Sequence, residues 1–306
     1  MKLYIIKFQK RILKIFKINN NRFQIIRRIS YFIVIIRPIN SIMVGLAVVV
    51  GITLTSVNNL LSMKTLLGFF TGFFISSYSM VTNDYYDIEV DRINCPNKSI
   101  PSNKIKPKEA ILYAFLLLFL GEISSLLIGP TNFVIATIFS LIAWIYNYWG
   151  KKKMFIGNIM VASSVAIPYL YGGTAFEKLG NQLLWFLALT SFLAAAGREI
   201  VKTITDIEGD RARNVNSISI SHGSELAGNI SAIFFIGAVA TTILPIITKT
   251  VVSGYSSLII IPDILFLYAS IKIIKDKSKE NAFKIKRFTL VGMLVGMIVF
   301  MLEGLP

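Results

Sequence analysis

The chain has 306 residues, 54% of them apolar and 16% charged, and a mean hydropathy of +0.66, whereas a soluble domain carries about a quarter charged residues. Composition alone therefore points to an integral membrane protein. The net charge of +16 sits in short stretches between long apolar runs, which argues against nucleic acid as a partner. One cysteine, Cys95, and one histidine, His222, exclude an internal disulfide, a multi-cysteine metal site and His-rich zinc, haem or di-iron centres, so any metal must be held mainly by oxygen.

Residues 1–30 read as a basic arm. Ile5, Phe8, Ile12 and Ile15 recur at helical spacing with Lys7, Lys10, Arg11, Lys14 and Lys17 between them, the pattern of a helix lying on an anionic membrane surface. Charges interrupt any apolar core there and no small-residue cleavage site follows, which argues against a cleaved signal peptide. Residues 31–306 read as the membrane domain. Runs long enough to cross about 30 Å of hydrocarbon, about 20 residues each, are expected near 32–56, 65–82, 109–128, 131–149, 155–173, 182–200, 226–248, 252–273 and 287–303. Gly129-Pro130 makes a tight turn between the third and fourth spans. Pro168, Pro245 and Pro262 inside spans are tolerated where neighbours satisfy the freed backbone. The expected fold is an all-α membrane bundle of nine spans.

Lysine and arginine orient it. The first 30 residues hold nine, and the loops after the second, fourth, sixth and eighth spans hold five, three, four and seven. Apart from Arg37 in the first span, the other side holds only Lys64, Lys178 and Lys249. The N-terminus and the even-numbered loops are therefore expected on the cytoplasmic side of a cell membrane, with the C-terminus outside.

Half of the sixteen carboxylates fall in two short segments on that basic side: Asp84, Asp87, Glu89 and Asp91 after the second span, and Glu199, Asp206, Glu208 and Asp210 after the sixth. Residues 87–92 read Asp-Ile-Glu-Val-Asp-Arg and residues 206–211 read Asp-Ile-Glu-Gly-Asp-Arg. An even number of crossings separates them, as a parallel repeat of four helices would require, and such a repeat sets the segments face to face. If each segment continues its helix, Asn83, Asp87 and Asp91 share one face with Asp84 beside them. Asp206 and Asp210 share another, extended backwards by Lys202 and Arg198. Like charges stacked one turn apart need a cation between them. Hard carboxylate and amide oxygens suit Mg²⁺, which completes its shell with water and substrate phosphate. Interleaved lysine and arginine then suggest a clamped diphosphate. No EF-hand spacing favours Ca²⁺, and the Asp-Gly-x₂-Ala-Arg start of CDP-alcohol phosphotransferases is absent.

Asn83-Asp84-Tyr85-Tyr86-Asp87-Ile88-Glu89-Val90-Asp91, followed by Asp206 to Asp210, resembles the paired motifs Asn-Asp-x-x-Asp-x-x-x-Asp and Asp-x-x-x-Asp of the UbiA superfamily of intramembrane prenyltransferases. The resemblance covers roughly residues 30–306. Arg37-Pro38-x-Asn40, Tyr146-Asn147 and Gly157-Asn158 are further matches. Within the superfamily, residues 83–101, 146–162 and 197–206 look most like the archaeal ether-lipid branch, which prenylates geranylgeranylglyceryl phosphate. Cys95-Pro96 and Lys98 depart from the Arg-Pro often found there, and no acidic residue stands near Thr203 or Thr205.

The resemblance implies transfer of a geranylgeranyl group from geranylgeranyl diphosphate to the hydroxyl of a lipid acceptor, with Mg²⁺ as cofactor. Asn83, Asp84, Asp87, Asp91, Asp206 and Asp210 would hold the metal, the last four at the chemical centre. Arg198, Lys202, Arg92 and Arg211 would meet the diphosphate, and Arg37, Asn40, Tyr146, Asn147 and Lys153 would line the substrate site. Lys151 and Lys152 are further candidates for an acceptor phosphate, although a triple lysine also suits an ordinary cytoplasmic loop. An aromatic, quinone-precursor or tetrapyrrole acceptor is the alternative within the superfamily. A transporter is the alternative from another class, and it would want ionisable groups at the bilayer midplane. Glu122 and Asp263, in the outer halves of their spans, are expected to pair across helices or reach outwards. Residues 92–108 are expected to form a lid.

Overall fold

The computed structural model describes residues 20–212, 215–251 and 253–305. The part of the basic arm before residue 20 lies outside them. Among the described residues the chain is helical, and the only β-type contact is an isolated bridge between Lys153 and Asn216. We number the helices α1 (Asn20–Ile35), α2 (Pro38–Ser56), α3 (Met63–Tyr86), α4 (Ile88–Asn94), α5 (Pro107–Ile128), α6 (Pro130–Tyr148), α7 (Met154–Thr174), α8 (Gln182–Thr205), α9 (Ile207–Ala212), α10 (Ile218–Ile247), α11 (Ser253–Leu258), α12 (Ile260–Lys275) and α13 (Lys279–Glu303). Eight of these, α2, α3, α5, α6, α7, α8, α10 and α13, are long and apolar enough to cross a membrane.

Two expected spans are interrupted, both at proline. The first was expected to run 32–56, but Arg37 leaves the helix with φ 48 and ψ 68, because a proline disfavours helical backbone in the residue before it. Arg37 is therefore a joint between α1 and α2 and not a residue within a span. The eighth, expected at 252–273, is split at Ile259. Pro262 has no N–H to offer the Leu258 carbonyl and its ring crowds that oxygen. The 16 residues of α12 reach about 24 Å by themselves. Elsewhere α5 and α6 are separated by Gly129 alone, as the Gly-Pro pair predicts. α10 bends at Gly223, whose φ of 84 is the left-handed region open to glycine.

The helices close into a ring. α2 packs between α3 and α7, α7 on α8, α8 on α10 and α13, α10 on α12, and α13 returns to α2. On the other side α3 packs on α5 and α6. The α2–α7 crossing is held by reciprocal glycines, Gly51 against the Tyr169 carbonyl and Gly172 against the Val48 carbonyl, the close backbone approach that small residues permit between membrane helices. One core joins α8, α10, α12 and α13 around Ile200, Phe235 and Ile273. Another joins α1, the 95–106 loop, α3 and α5 around Ile35, Val81, Ile100 and Ile105. Glu122 accepts the Thr137 and Ser140 hydroxyls across α5 and α6, and Asp263 accepts Thr242 across α10 and α12. Both outer carboxylates thus pair across helices.

Candidate active site

Each carboxylate segment is built on the same local joint. α3 ends at Tyr86, Asp87 takes φ −95 and ψ 6, and α4 follows. α8 ends at Thr205, Asp206 takes φ −108 and ψ 9, and α9 follows. The hydrogen-bond ladder nevertheless runs through both. Asp87 N donates to Asn83 O at 3.1 Å and Asp91 N to Asp87 O at 2.8 Å, while Asp206 N donates to Lys202 O at 3.1 Å and Asp210 N to Asp206 O at 2.8 Å. The helices bend but keep the turn-by-turn stacking expected from the spacing.

In the first segment Asp84, Asp87 and Asp91 are 7, 8 and 2% exposed, and buried carboxylates need partners. Arg37 Nη2 donates to Asp84 Oδ1 at 2.8 Å, and Lys98 Nζ bridges the same oxygen at 3.2 Å and Asp91 Oδ2 at 2.6 Å. Lys151 Nζ donates to Asp87 Oδ1 at 2.6 Å. Burial alone would lower the Lys98 pKa, but the hydrogen bond to Asp91 and the charges of Asp84 and Asp91 outweigh it and raise it above the usual lysine range. Among the described residues no three Asp, Glu, His or Cys side chains converge as a ready-made metal cage. The cations already in place are lysine and arginine.

Asn83 is oriented by a chain of amides. Ser79 O can only accept, so the Asn147 group facing it at 3.4 Å is Nδ2. The same Nδ2 donates to Thr82 Oγ1 at 3.0 Å. Asn147 Oδ1 therefore accepts, and receives Asn83 Nδ2 at 3.0 Å. Asn83 keeps its own oxygen for another partner. Asn147, 1% exposed, thus holds the Asn83 amide in place.

In the second segment Thr205 Oγ1 donates to Asp206 Oδ1 at 2.7 Å. Glu199 is buried and accepts from Arg198 at 3.3 Å and Lys202 at 3.2 Å. Arg198 Nε also donates to Lys286 O at 3.3 Å, which ties α13 to this end of α8. Glu208 pairs with Lys279 at 2.7 Å, and that ammonium holds the Glu208 carboxyl below its usual range. Tyr146, near the end of α6, stands in the electrostatic field of Lys202, Glu199, Asp87 and Asp210.

Four expected binding residues stand at the surface. Asn40 and Arg211 are exposed, Arg92 pairs with exposed Glu89 at 3.1 Å, and Lys153 lies over the Trp149 ring. The Lys152 side chain lies outside the described residues. Sequence reasoning missed Lys98, Glu199 and Lys286 as site residues, and treated Lys151 as a phosphate contact without its Asp87 partner. An unusual Lys98 in an otherwise familiar stretch was the one available signal. Behind Thr82 and Tyr86, an apolar cavity of about 310 Å³ opens between α3, α5 and α6, lined also by Tyr78, Phe115, Leu118 and Trp144.

A ring of membrane helices with two carboxylate joints at one end and basic side chains between them defines an intramembrane enzyme class that handles anionic, cation-neutralised groups. The chain belongs to the UbiA prenyltransferase family, whose pattern matches residues 44–291. A relative from Methanocaldococcus jannaschii named digeranylgeranylglyceryl phosphate synthase is 34% identical over 91% of this chain and 97% of its own length. One of the same name from Methanosphaera stadtmanae is 31% identical over 90% and 99%. A solved structure described as a digeranylgeranylglyceryl phosphate synthase in membranes superimposes with a TM-score of 0.77 at 34% identity, covering 90% of this chain and 98% of its own. A UbiA homologue from Archaeoglobus fulgidus bound to GPP and Mg²⁺ shares the fold with a TM-score of 0.65 at 17% identity, covering 88% and 99%.

Proposed function

We propose that this chain is the prenyltransferase that joins geranylgeranyl diphosphate to the hydroxyl of geranylgeranylglyceryl phosphate, forming the second ether bond of an archaeal membrane lipid. The observation that most supports this reading is that Tyr146 stands in the electrostatic field of Asp87 at one carboxylate joint and of Asp210 at the other, which favours a single site shared by both joints. The named relatives support the acceptor. The donor set fits Mg²⁺, as in the Archaeoglobus fulgidus homologue. The available ligands are hard oxygens at successive turns, and the buried carboxylates among them already require cations. Asn83, Asp84, Asp87, Asp91, Asp206 and Asp210 are the residues that would hold it. When bound, Mg²⁺ supplies concentrated positive charge beside the departing diphosphate.

The protein's part is to preorganise charge and exclude water. Arg198 and Lys202, aligned by Glu199, donate to phosphate oxygens as the allylic C1–O bond of the donor breaks. The acceptor oxygen bonds to C1, and its proton passes to the diphosphate or to a neighbouring carboxylate. Arg37 and Lys151 stand at the same end for the acceptor phosphate, with Asn40, Arg92, Lys153 and Arg211 as outer contacts. The cavity beside Thr82 and Tyr86 is a berth for part of a prenyl chain, kept dry by its aromatic walls.

The finer topology is part of the proposal. α11 and α12 together complete a ninth crossing, α2, α3, α5 and α6 are repeated in parallel by α7, α8, α10 and α11–α12, and the carboxylate end faces the cytoplasm, supported by the lysine and arginine bias. The described part of the basic arm, residues 20–30, lies on the membrane surface, supported by exposed Ile25, Ile26 and Ile29 on α1.

The test uses purified protein in detergent with labelled geranylgeranyl diphosphate, Mg²⁺, and either geranylgeranylglyceryl phosphate or 4-hydroxybenzoate. A Mg²⁺-dependent ether product, lost in Asp87→Ala and Asp206→Ala, is expected. Product with the aromatic acid alone would discard the lipid acceptor. No transfer by folded protein to either would discard the assignment.

A further inference from the structure

We propose that Lys98 is a built-in counter-cation that occupies the Asp84–Asp91 subsite in the metal-free protein and is displaced from Asp91 when a divalent ion binds. This rests on the metal-site reading above. Lys98 reaches Asp91 at 2.6 Å and Asp84 at 3.2 Å, and it is the only side chain among the described residues recorded as hydrogen-bonded to the Asp91 carboxylate. Asp91 sits at 2% exposure, where an unpaired carboxylate is strongly disfavoured. A divalent ion on the same oxygens would stand beside the ammonium, and two cations at that range repel. One of them must leave.

The ammonium is the one built to move. Its backbone is fixed: the Lys98 carbonyl accepts from Ser102 N at 3.1 Å and Ser102 Oγ at 2.5 Å, and the Ser99 carbonyl accepts from Lys104 N and Ile105 N. Ile100 and Ile105 anchor the loop at 2% and 0% exposure. The backbone of the 95–106 loop is thus held by its own hydrogen bonds and by buried isoleucines, which leaves the Lys98 side chain as the part free to swing. The Lys98 side chain is 31% exposed, so it has a path to water or to an incoming phosphate. Arg37 remains on Asp84 after Lys98 departs, so that carboxylate stays neutralised.

An internal competitor lowers apparent metal affinity by the fraction of time it holds the site. Mn²⁺ is the probe, titrated into purified protein without diphosphate and followed by the EPR signal of the free ion. Lys98→Met is expected to bind Mn²⁺ about 3- to 10-fold tighter than wild type, with Lys98→Arg close to wild type. Mn²⁺ should also raise the melting temperature of Lys98→Met more than that of wild type. Equal or weaker binding by Lys98→Met would overturn the proposal, because Lys98 would then support the metal and not compete with it. Absence of saturable Mn²⁺ binding in both proteins would instead remove the metal site, and this inference with it. Wild type alone provides an independent check by mass spectrometry after brief acetic anhydride treatment. Acetylation of Lys98 should rise on adding Mn²⁺, and unchanged labelling under saturating Mn²⁺ would refute displacement.

Discussion

Replacing Asn147 with leucine keeps the branched four-atom shape of the side chain and removes the amide that orients Asn83. Two hydrogen bonds at 3.0 Å are lost, to Asn83 and Thr82, with a weaker contact to Ser79 at 3.4 Å. Each good bond contributes about 1 kcal/mol net, and a buried donor left without a partner costs about 1–3 kcal/mol more. Thr82 keeps its bond to the Tyr78 carbonyl, so the unpaired group is Asn83 Nδ2, and the total is about 3–5 kcal/mol. For a chain of this size that lowers the melting temperature by roughly 5–10 °C. Asn83 is then free to turn its amide, and loss of an outer partner of this kind lowers metal affinity or rate about 10- to 100-fold. Thermal unfolding in detergent and Mn²⁺ titration measure the two effects separately. A variant with wild-type affinity and rate would show that the Ser79–Asn147–Asn83 chain does not position the site. Wild-type stability with lost activity would place Asn147 in direct contact with substrate.

Three further outcomes are expected. Gly51→Ala drives a methyl into the Tyr169 carbonyl, a backbone atom with no freedom to yield, and destabilises by about 1–3 kcal/mol, read as a lower melting temperature. Since the folded-state pKa of Lys98 is raised, its stabilisation is fully present below the unfolded lysine value of about 10.4 and is lost as pH rises through the folded value. The metal-free stability difference between wild type and Lys98→Met should therefore shrink as pH rises above about 10.4, read by thermal unfolding. A difference that persists unchanged through that range would contradict the pairing. Asp87→Ala and Asp206→Ala should each abolish Mg²⁺-dependent product while retaining a folded elution profile, since each removes one joint of a shared site.

Local features explain what was readable from the residues alone. A span is a matter of length and apolar content, so eight of the nine expected crossings coincide with long apolar helices. A carboxylate stripe is a matter of turn-by-turn spacing, and both stripes survive the joints at Asp87 and Asp206 because the hydrogen-bond ladder runs through them. The two breaks at Arg37 and Ile259 follow from Pro38 and Pro262, which act on the residues just before them. Their effect was legible in principle, but hydropathy averages over it.

The partners of the carboxylates depend on which helix ends meet, and spacing along one helix does not contain that. Lys151 meets Asp87 across 64 residues, Arg37 meets Asp84 across 47, and Asn83 meets Asn147 across 64. Each contact exists because α2, α3 and α6 converge at one end of the ring. Sequence by itself determined the class of protein, eight long apolar helices and the turn-by-turn stacking of the carboxylates, because periodicity and composition act locally. Only the tertiary structure decided which cation neutralises which carboxylate and which amide turns Asn83 toward the site, because those pairings are set by helix packing.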